Sequence, residues 1–390
     1  MSLRKKRLAL HKNREIQNKK KSNIILAPPD SMLIVIIVAL IIFGSMAIFT
    51  AGAPEGFEVY HNPAYYVIKH ILFVALGCFL MIKTSRFDYR YWKELAVPFS
   101  IVTIILIGAT FIPGLGKTSY GSSRWLAILP VQPSELAKIG CIFLAGSALV
   151  QARSLFDKKL LKHLFLILVM VALIFKQPNL SISMIISLVT MAMMLVAGVS
   201  YVLLSGIIVT LIPFVYAHIL STPYQLKRIT GWLKPWADPQ GTGYNLIQSL
   251  YAIGSGGIFG VGFGNSKQKL FWLPFRHTDF IFAVIAEEFG LIGCIILIGI
   301  FFAFIYRGFL IANRCTDMFG RLVAFGITFS IGLQAFINIG VAEGVLPVTG
   351  VTLPLISYGG SSVVITLFML GILLNISRKR VKKIHTQEEY

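Results

Sequence analysis

The chain has 390 residues, of which 56% are hydrophobic and only 13% are charged, and its mean hydropathy is +0.77. This composition is far from that of a soluble globular domain, and it excludes a water-soluble enzyme or binding module. The formal net charge of +20 is typical of nucleic-acid-binding proteins, so the positions of the basic residues along the chain have to decide whether nucleic acid is a partner.

Apolar residues come in ten blocks along the chain, most of them close to the roughly twenty residues that span a bilayer as a helix. The fifth block is short and the fourth carries charge, so these two are the weaker predictions. The pattern predicts an all-α polytopic membrane protein of about ten transmembrane helices, near residues 31–52, 64–83, 94–112, 133–151, 163–176, 180–198, 201–219, 278–306, 318–340 and 357–376.

Basic residues are distributed unevenly between the two sides of this predicted domain. With the N-terminus inside, the inward segments hold 25 Lys and Arg residues and the outward segments hold 9. The positive-inside rule therefore places both termini in the cytoplasm. The basic stretch RKKRLALHKNREIQNKKK near the N-terminus is interpreted as an orientation signal that favours anionic lipid, and a nucleic-acid arm is disfavoured. No cleavable signal peptide is apparent, because the first apolar block is long enough to span.

The predicted organisation is a basic cytoplasmic tail at 1–30, a transmembrane domain at 31–376 and a cytoplasmic C-terminal tail at 377–390. The segment 220–277, between the seventh and eighth spans, is the one long external loop. It has too few periodic apolar residues to form a domain with its own core, so we expect it to pack against the membrane domain.

Two stretches of this external segment have a recognisable pattern. YNLIQSLYAIG (244–254) has apolar residues at helical spacing and is expected to lie along the membrane surface. GSGGIFGVGFG (254–264) has six glycines in eleven residues. A glycine-rich loop cradles phosphate when it links a strand to a helix, but no strand precedes this one, so tight turns packed against the membrane are favoured.

Charged side chains inside a predicted span point to the chemistry of a membrane protein. In QPSELAK (132–138), Glu135 and Lys138 are three residues apart and share one helical face, so they can pair. Either the pair fixes helix packing, or Lys138 binds an anionic substrate while Glu135 orients it. Upstream, GSSRW places Arg124 at the outer interface, where an arginine either snorkels or forms bidentate bonds to phosphate.

Three acids begin the eighth span, in LPFRHTDFIFAVIAEEFG (273–290). On a helix, Glu287 lies about 80° around from Asp279 and Glu288 lies on the opposite face, so the three do not form one site. Glu287 and Glu288 are expected to meet basic partners on neighbouring helices or to titrate as buried acids. Asp279 falls at the water boundary, where a helix N-cap is the simplest alternative to a catalytic role.

A proline- and glycine-containing stretch, EGVLPVTGVTLPLISYGGSS (343–362), precedes the last span. Irregular backbone at membrane depth is tolerated only where protein buries it or where it lines a wet cavity. We therefore expect this stretch to re-enter the outer leaflet and to form part of the wall of a polar cavity.

These motifs together resemble the SEDS family (shape, elongation, division and sporulation proteins; FtsW, RodA and SpoVE). The similarity runs from the first span to the last, and the NSKQKL and PWADP stretches are more similar to the cell-division and sporulation members than to RodA. The resemblance implies ten transmembrane helices and a peptidoglycan glycosyltransferase that polymerises lipid II. It also implies a class B penicillin-binding protein as the transpeptidase partner.

The essential acid of the family's HTDF motif corresponds to Asp279, which the resemblance makes the catalytic general base. The expected substrate-binding residues are Gln132, Ser134, Glu135, Lys138, Arg124, Lys269, His277, Thr278, Ser357, Gly359 and Gly360. No cofactor is certain, and a divalent cation, Mg²⁺ or Mn²⁺, is left open. The sequence departs from the family at two positions: Phe275 and Asn179 each stand where a carboxylate is usual.

The expected partners are lipid II, lipid-linked glycan, the transpeptidase and other division proteins, at a plasma membrane and enriched at the division septum. Two alternatives stay open. One is a flippase that moves lipid II between leaflets. Two observations argue against a flippase: the polar motifs cluster on the external side, and no pair of internal repeats is visible. The other is a non-catalytic division scaffold, which the sequence does not separate from an enzyme that also has a scaffold role.

Overall fold

The computed structural model describes residues 28–119, 122–126, 131–151 and 157–378. Within these ranges the regular secondary structure is helical apart from two short antiparallel strands, β1 (Gly116–Ser119) and β2 (Ser122–Leu126). The helices are α1 (Ser31–Tyr60), α2 (Tyr65–Arg86), α3 (Tyr91–Ala109), α4 (Pro133–Gln151), α5 (Lys158–Lys176), α6 (Leu180–Val196), α7 (Tyr201–Ser221), α8 (Pro223–Leu233), α9 (Tyr244–Gly256), α10 (Ile281–Arg314), α11 (Met318–Ala342) and α12 (Gly360–Ser377).

Each of the ten predicted spans coincides with a helix, and eight of these helices are long and apolar enough to cross a bilayer. The other two are α5, which carries lysines at both ends, and α6, which is apolar but has only 17 residues. The chain is therefore an all-α, multi-pass membrane protein. The count of ten spans, their orientation and the three domain boundaries remain predictions, and residues 1–27 and 379–390 of the two tails lie outside the described ranges.

The helices form a bundle in which three are central and the rest surround them. Most of the apolar window is buried in α4, α11 and α12, whereas only 6% of it is buried in α7. The outer helices expose large apolar side chains, such as Leu72 and Phe79 on α2. In a bilayer those faces meet lipid tails, so the buried centre is where polar groups need partners from the protein itself.

Helix α10 is interrupted at Gly290, whose φ of 64° and ψ of −165° lie outside the helical region. The glycine-rich stretch 254–264 packs into this break: the Val261 N–H donates to the Glu287 carbonyl (2.9 Å), and the Leu291 N–H donates to the Gly257 carbonyl (2.9 Å). A Cβ atom on Gly260 would lie 2.2 Å from the Glu288 carbonyl oxygen, so only glycine permits this approach. Residues 257–264 therefore form the tight turns that the sequence favours, but they pack against a helix of the protein, and residues 254–256 are the end of α9.

The two acids in the first part of α10 bind the external segment that precedes it. The Glu287 carboxylate accepts hydrogen bonds from the Ser266 hydroxyl and from the Lys267 N–H (2.9 Å). Glu288 forms a buried ion pair with Lys269, with 2.9 Å between Oε1 and Nζ. Glu288 thus has a basic partner as predicted, but this partner lies in the external segment and not on a neighbouring helix. Glu287 instead meets backbone N–H groups and a hydroxyl.

Candidate functional site

A polar cavity of about 240 Å³ opens among α4, α6, α11, the turn before α10 and the irregular stretch before α12. It brings together six of the residues that the sequence singled out: Gln132, Glu135, Lys138, Thr278, Asp279 and Gly359. The stretch 343–362 contributes Gly350, Thr352 and Tyr358, so the prediction that it forms part of a polar cavity wall is met.

Asp279 lies in a turn just outside α10 and does not occupy the helix N-cap. The helix begins at Ile281, and the N-cap position is Phe280, where no side-chain capping bond is found. The turn is closed by the Phe275 carbonyl, which accepts from the N–H of Thr278 (3.0 Å) and of Phe280 (3.2 Å). The half-buried Asp279 therefore lines the cavity from a turn, one residue before the N-cap position of α10.

The backbone of this turn is fixed by hydrogen bonds to the irregular stretch and to α11. Asn338 Nδ2 donates to the carbonyls of Asp279 (2.8 Å) and Val351 (2.7 Å), which ties the turn to the cavity wall. The Ser357 hydroxyl donates to the Thr278 carbonyl (2.6 Å). Ser357 was expected to bind substrate, but the structure has its hydroxyl engaged with the backbone that carries Asp279, outside the cavity lining.

Glu135 and Lys138 form the ion pair expected from their spacing, with 2.8 Å between Oε2 and Nζ. Both side chains are buried, and Lys138 also donates to Gln334 Oε1 (2.7 Å). Gln334 Nε2 in turn donates to the Thr352 carbonyl (2.9 Å). The pair lines the cavity and belongs to a polar chain that crosses from α4 to α11, so its position suits both of the roles that the sequence left open.

His277 and Arg276 face away from the cavity, towards α1. Arg276 Nη2 lies 3.2 Å from Glu55 Oε2, and its Nε donates to the Ala51 carbonyl. His277 Nδ1 lies 3.6 Å from the same Glu55 oxygen. Burial lowers the pKa of His277 to about 4, and Glu55 only partly offsets this, so the imidazole is neutral at pH 7 and the contact is not an ion pair. Arg276 is the cation that balances Glu55.

Four further predicted residues lie outside the cavity lining or outside the described side chains. Ser134 is buried and accepts from Gln132 Nε2 (2.9 Å), and Gly360 begins α12 against Phe73. Lys269 is held in its ion pair with Glu288. The side chain of Arg124 lies outside the described residues, although Trp125, its neighbour on β2, lines the cavity.

Gln334 and Asn338 were missed by the reasoning from sequence. They are four residues apart in the middle of an apolar helix, which places them on one face, and both are buried. Uncharged polar residues at this spacing within an apolar span are a sequence signal for a polar face inside the bundle. The two departures from the family pattern, Phe275 and Asn179, also line the cavity.

The chain matches the family FtsW/RodA/SpoVE, described as "cell cycle protein", over residues 30–382. It belongs to this family. The resemblance to SEDS proteins that the motifs indicated is thereby confirmed.

Curated relatives of this SEDS protein cover most of its length. A probable peptidoglycan glycosyltransferase FtsW of Geobacter metallireducens is 40% identical over 346 residues, which cover 87% of this chain and 92% of the relative. Stage V sporulation protein E of Bacillus subtilis is 37% identical, covering 87% of this chain and 94% of the relative.

Solved structures share the fold of this SEDS protein. A chain of a peptidoglycan synthase complex that coordinates polymerization and crosslinking superposes with a TM-score of 0.74 at 30% identity, covering 90% of this chain and 98% of that one. The rod shape determining protein RodA of Thermus thermophilus gives a TM-score of 0.65 at 27% identity, covering 91% and 98%.

Proposed function

We propose that this protein is a peptidoglycan glycosyltransferase that polymerises lipid II into glycan strands at the external face of the membrane, for septal or spore wall synthesis. The observation that carries the proposal is the Asp279 carboxylate on a polar cavity that also holds the buried Glu135–Lys138 pair. A probable peptidoglycan glycosyltransferase that is 40% identical to the chain supports the same reaction.

The reaction joins a sugar hydroxyl to a sugar carbon that carries a lipid diphosphate. The 4-hydroxyl oxygen of the acceptor disaccharide attacks the anomeric carbon of the donor, and the bond from that carbon to the diphosphate oxygen breaks. Asp279 takes the hydroxyl proton as general base. A single displacement with inversion needs one basic carboxylate on the face opposite the leaving group, by analogy with inverting glycoside hydrolases.

The negative charge of the leaving diphosphate needs cations or hydrogen-bond donors. Lys138 is the one lysine or arginine among the described residues that line the cavity, and we assign it this role together with Arg124. Gln132 and the Thr278 hydroxyl supply further polar groups at the lining. The polyprenyl tail would remain among the apolar helices, which is why such a reaction takes place inside a membrane protein.

A divalent cation also belongs to the proposal, as a companion of the substrate. Among the described residues no group of three or more His, Cys, Asp or Glu side chains is placed to hold a metal ion. Mg²⁺ is commonly bound by one or two carboxylates together with substrate phosphates. Because Asp279 serves as the base, the ion would be held mainly by the phosphate oxygens of the substrate, and it would help to neutralise the diphosphate.

The proposed partner is a class B penicillin-binding protein, which would crosslink the glycan that this chain makes. A structural relative that is part of a peptidoglycan synthase complex coordinating polymerization and crosslinking supports a partner of this kind. Lipid II, lipid-linked glycan and other division proteins complete the proposed partners, and enrichment at the division septum follows from them.

The test is polymerisation of lipid II by the purified chain, alone and with its transpeptidase. We expect Asp279→Asn to fold and to bind the partner but to lose about 10²–10⁴-fold in rate, because the change keeps the shape and removes the proton acceptor. Asp317→Asn is the matched control: Asp317 is a true N-cap, accepting from the Gly320 N–H (2.9 Å), and Asn caps about as well as Asp.

Two results would contradict the proposal. If Asp279→Asn polymerises as fast as Asp317→Asn, the base lies elsewhere. If the wild type makes no glycan with its partner but moves lipid II between the leaflets of a vesicle, the chain is a flippase. Buried charges in a membrane protein are also typical of transport proteins, which is why this alternative is tested.

A further inference from the structure

We propose that Tyr358 is a further substrate-binding residue, whose hydroxyl binds the acceptor sugar beside Asp279. The inference rests on the proposed function and adds a residue that the sequence did not single out. Tyr358 is half-buried in the irregular stretch before α12, and it lines the cavity. Among the described residues it is the one tyrosine of that lining.

The backbone of Tyr358 is joined to the turn that carries Asp279. Its N–H donates to the His277 carbonyl (2.8 Å), and the hydroxyl of the preceding Ser357 donates to the Thr278 carbonyl (2.6 Å). The two segments are therefore adjacent at these residues. Tyr358 and Asp279 thus line the cavity from neighbouring segments.

The ring of Tyr358 is held by two aromatic neighbours that lie outside the cavity lining. Tyr66 on α2 packs against it in a T-shaped arrangement, with the ring centroids 5.2 Å apart and the planes at 86°, and the His277 ring lies 5.7 Å away at 65°. Tyr66 is fixed in turn, because its hydroxyl donates to Glu55 Oε1 (2.6 Å). Contacts of this geometry are favourable between aromatic rings, so the Tyr358 ring is oriented before a ligand arrives.

The hydroxyl of Tyr358 is accessible and forms no hydrogen bond within the described ranges. Lys138 and Gln334, which also line the cavity, already bond to each other. A phenol hydroxyl both donates and accepts hydrogen bonds, as a sugar hydroxyl does. Tyr358 therefore offers an uncharged partner of the kind that a sugar needs.

The stereochemistry of the reaction assigns this hydroxyl to the acceptor sugar. A general base must lie within about 3 Å of the hydroxyl whose proton it takes, so the acceptor sugar occupies the space next to Asp279. In a displacement with inversion, the diphosphate leaves from the opposite face of the donor carbon. Because Tyr358 lies on the same side of the cavity as Asp279, it meets the acceptor sugar and not the leaving group.

The first experiment measures the two substrates separately, in the full chain with its transpeptidase. Lipid II whose 4-hydroxyl is capped acts only as donor, and the methyl glycoside of the lipid II disaccharide pentapeptide, which has no diphosphate, acts only as acceptor. We expect Tyr358→Phe to raise the KM for this acceptor about three- to tenfold, the effect of losing one neutral hydrogen bond, and to leave the KM for the capped donor unchanged. Tyr358→Leu, which also removes the ring, should raise the acceptor KM further.

Tyr244 supplies the matched control. It is half-buried at the start of α9, its hydroxyl forms no hydrogen bond in the part of the chain that the structure describes, and it lies outside the cavity lining. Tyr244→Phe should change neither KM. Tyr66→Leu removes the ring that holds Tyr358 and should raise the acceptor KM, whereas Tyr66→Phe keeps that ring and should not, although it loses the bond to Glu55.

Binding without catalysis is measured on variants that lack the base. The same methyl glycoside is titrated calorimetrically against Asp279→Asn and against the Asp279→Asn, Tyr358→Phe double variant. We expect the dissociation constant to be about three- to tenfold higher in the double variant. If the wild type makes no glycan at all, the proposed function fails, while this titration still decides whether Tyr358 binds the sugar.

Three results would overturn the inference and leave the proposed function standing. An unchanged acceptor KM together with an unchanged titration would mean that the Tyr358 hydroxyl contacts no sugar of the acceptor. A higher KM for the capped donor alone would place Tyr358 on the donor side. A lower kcat with a shifted pH profile at unchanged KM would mean that Tyr358 acts through Asp279. Tyr358→Phe is nearly isosteric, so its melting temperature should equal that of the wild type.

Discussion

Among single residues, Lys138 is the clearest case of one group with two possible duties. Its ammonium is buried and binds Glu135 and Gln334, so it has the partners of a structural ion pair. It also lines the cavity beside Asp279, where a cation is needed for the diphosphate. The structural role and the substrate-binding role predict different activities for a variant in which both members of the ion pair are removed.

We expect Glu135→Gln with Lys138→Met to fold but to make no glycan. Removing one member of a buried pair leaves a lone charge and costs about 3–5 kcal/mol, whereas removing both is often nearly neutral. Each single variant should therefore have a lower melting temperature than the double variant, and polymerisation of lipid II should be absent from the double variant. Full activity in the double variant would remove Lys138 from the site.

The control is a partly exposed ion pair at the other end of the bundle. Arg307 on α10 pairs with Asp30, the N-cap of α1, at 2.9 Å between Nη2 and Oδ2. The Asp30→Asn, Arg307→Met double variant removes that pair without touching the cavity. It should keep polymerisation activity, so loss of activity in both double variants would indicate a general effect of the substitutions.

Of the contacts made by the predicted charged residues, the sequence predicted the one that lies within a single helix and not those between elements. The pairing of Glu135 with Lys138 follows from helix geometry, because both residues belong to one element. His277 belongs to the HTDF motif and Lys269 lies eight residues before it, yet the carboxylates they contact are Glu55 and Glu288. Such partners come from other elements, and no local pattern contains them.

Among the helices, α10 contains the feature that the sequence did not reveal. An uninterrupted span was predicted over 278–306, since its apolar composition is continuous, whereas the helix is broken at Gly290 and extends to Arg314. A single glycine in an apolar run is ordinary in a membrane helix, so the break is not visible in the local pattern. The partner of the break, the stretch 254–264, lies 26 or more residues earlier.

We expect Gly290→Ala to destabilise the protein by several kcal/mol and to abolish activity. The φ and ψ of Gly290 are accessible almost only to glycine, and strain of this kind costs about 1–3 kcal/mol. An added Cβ would also lie 2.3 Å from the Gly260 nitrogen, which pushes the glycine-rich stretch out of the break. The melting temperature and the polymerisation rate are the measurements.

Gly299→Ala on the same helix is the control. No atom lies within 4 Å of a Cβ built on Gly299, and its backbone is helical, so alanine should be tolerated or stabilise by up to about 1 kcal/mol. Equal melting temperatures for the two variants would mean that the break at Gly290 can be straightened without loss.

At the scale of the whole molecule, polar groups are collected where the bundle is most buried. The central helices α4, α11 and α12 carry or adjoin the cavity residues, and the outer helices expose apolar faces to lipid. Length and composition predicted the helices, because a bilayer sets both. Which helices are central was not predicted, because all ten blocks are apolar and the choice depends on contacts between elements that are distant in the chain.

The orientation of this bundle in the membrane decides whether a substrate on the external side can enter the cavity. The charge asymmetry predicts that Thr242 is outside and Lys159 inside. Both side chains are exposed in the structure, so burial within the protein does not prevent labelling of either residue. In a background without the four native cysteines, we expect a membrane-impermeant maleimide to label Thr242→Cys in intact cells. It should label Lys159→Cys only after the membrane is permeabilised. The reverse pattern would put Asp279 on the cytoplasmic side, and the proposed polymerisation of external lipid II would then be wrong.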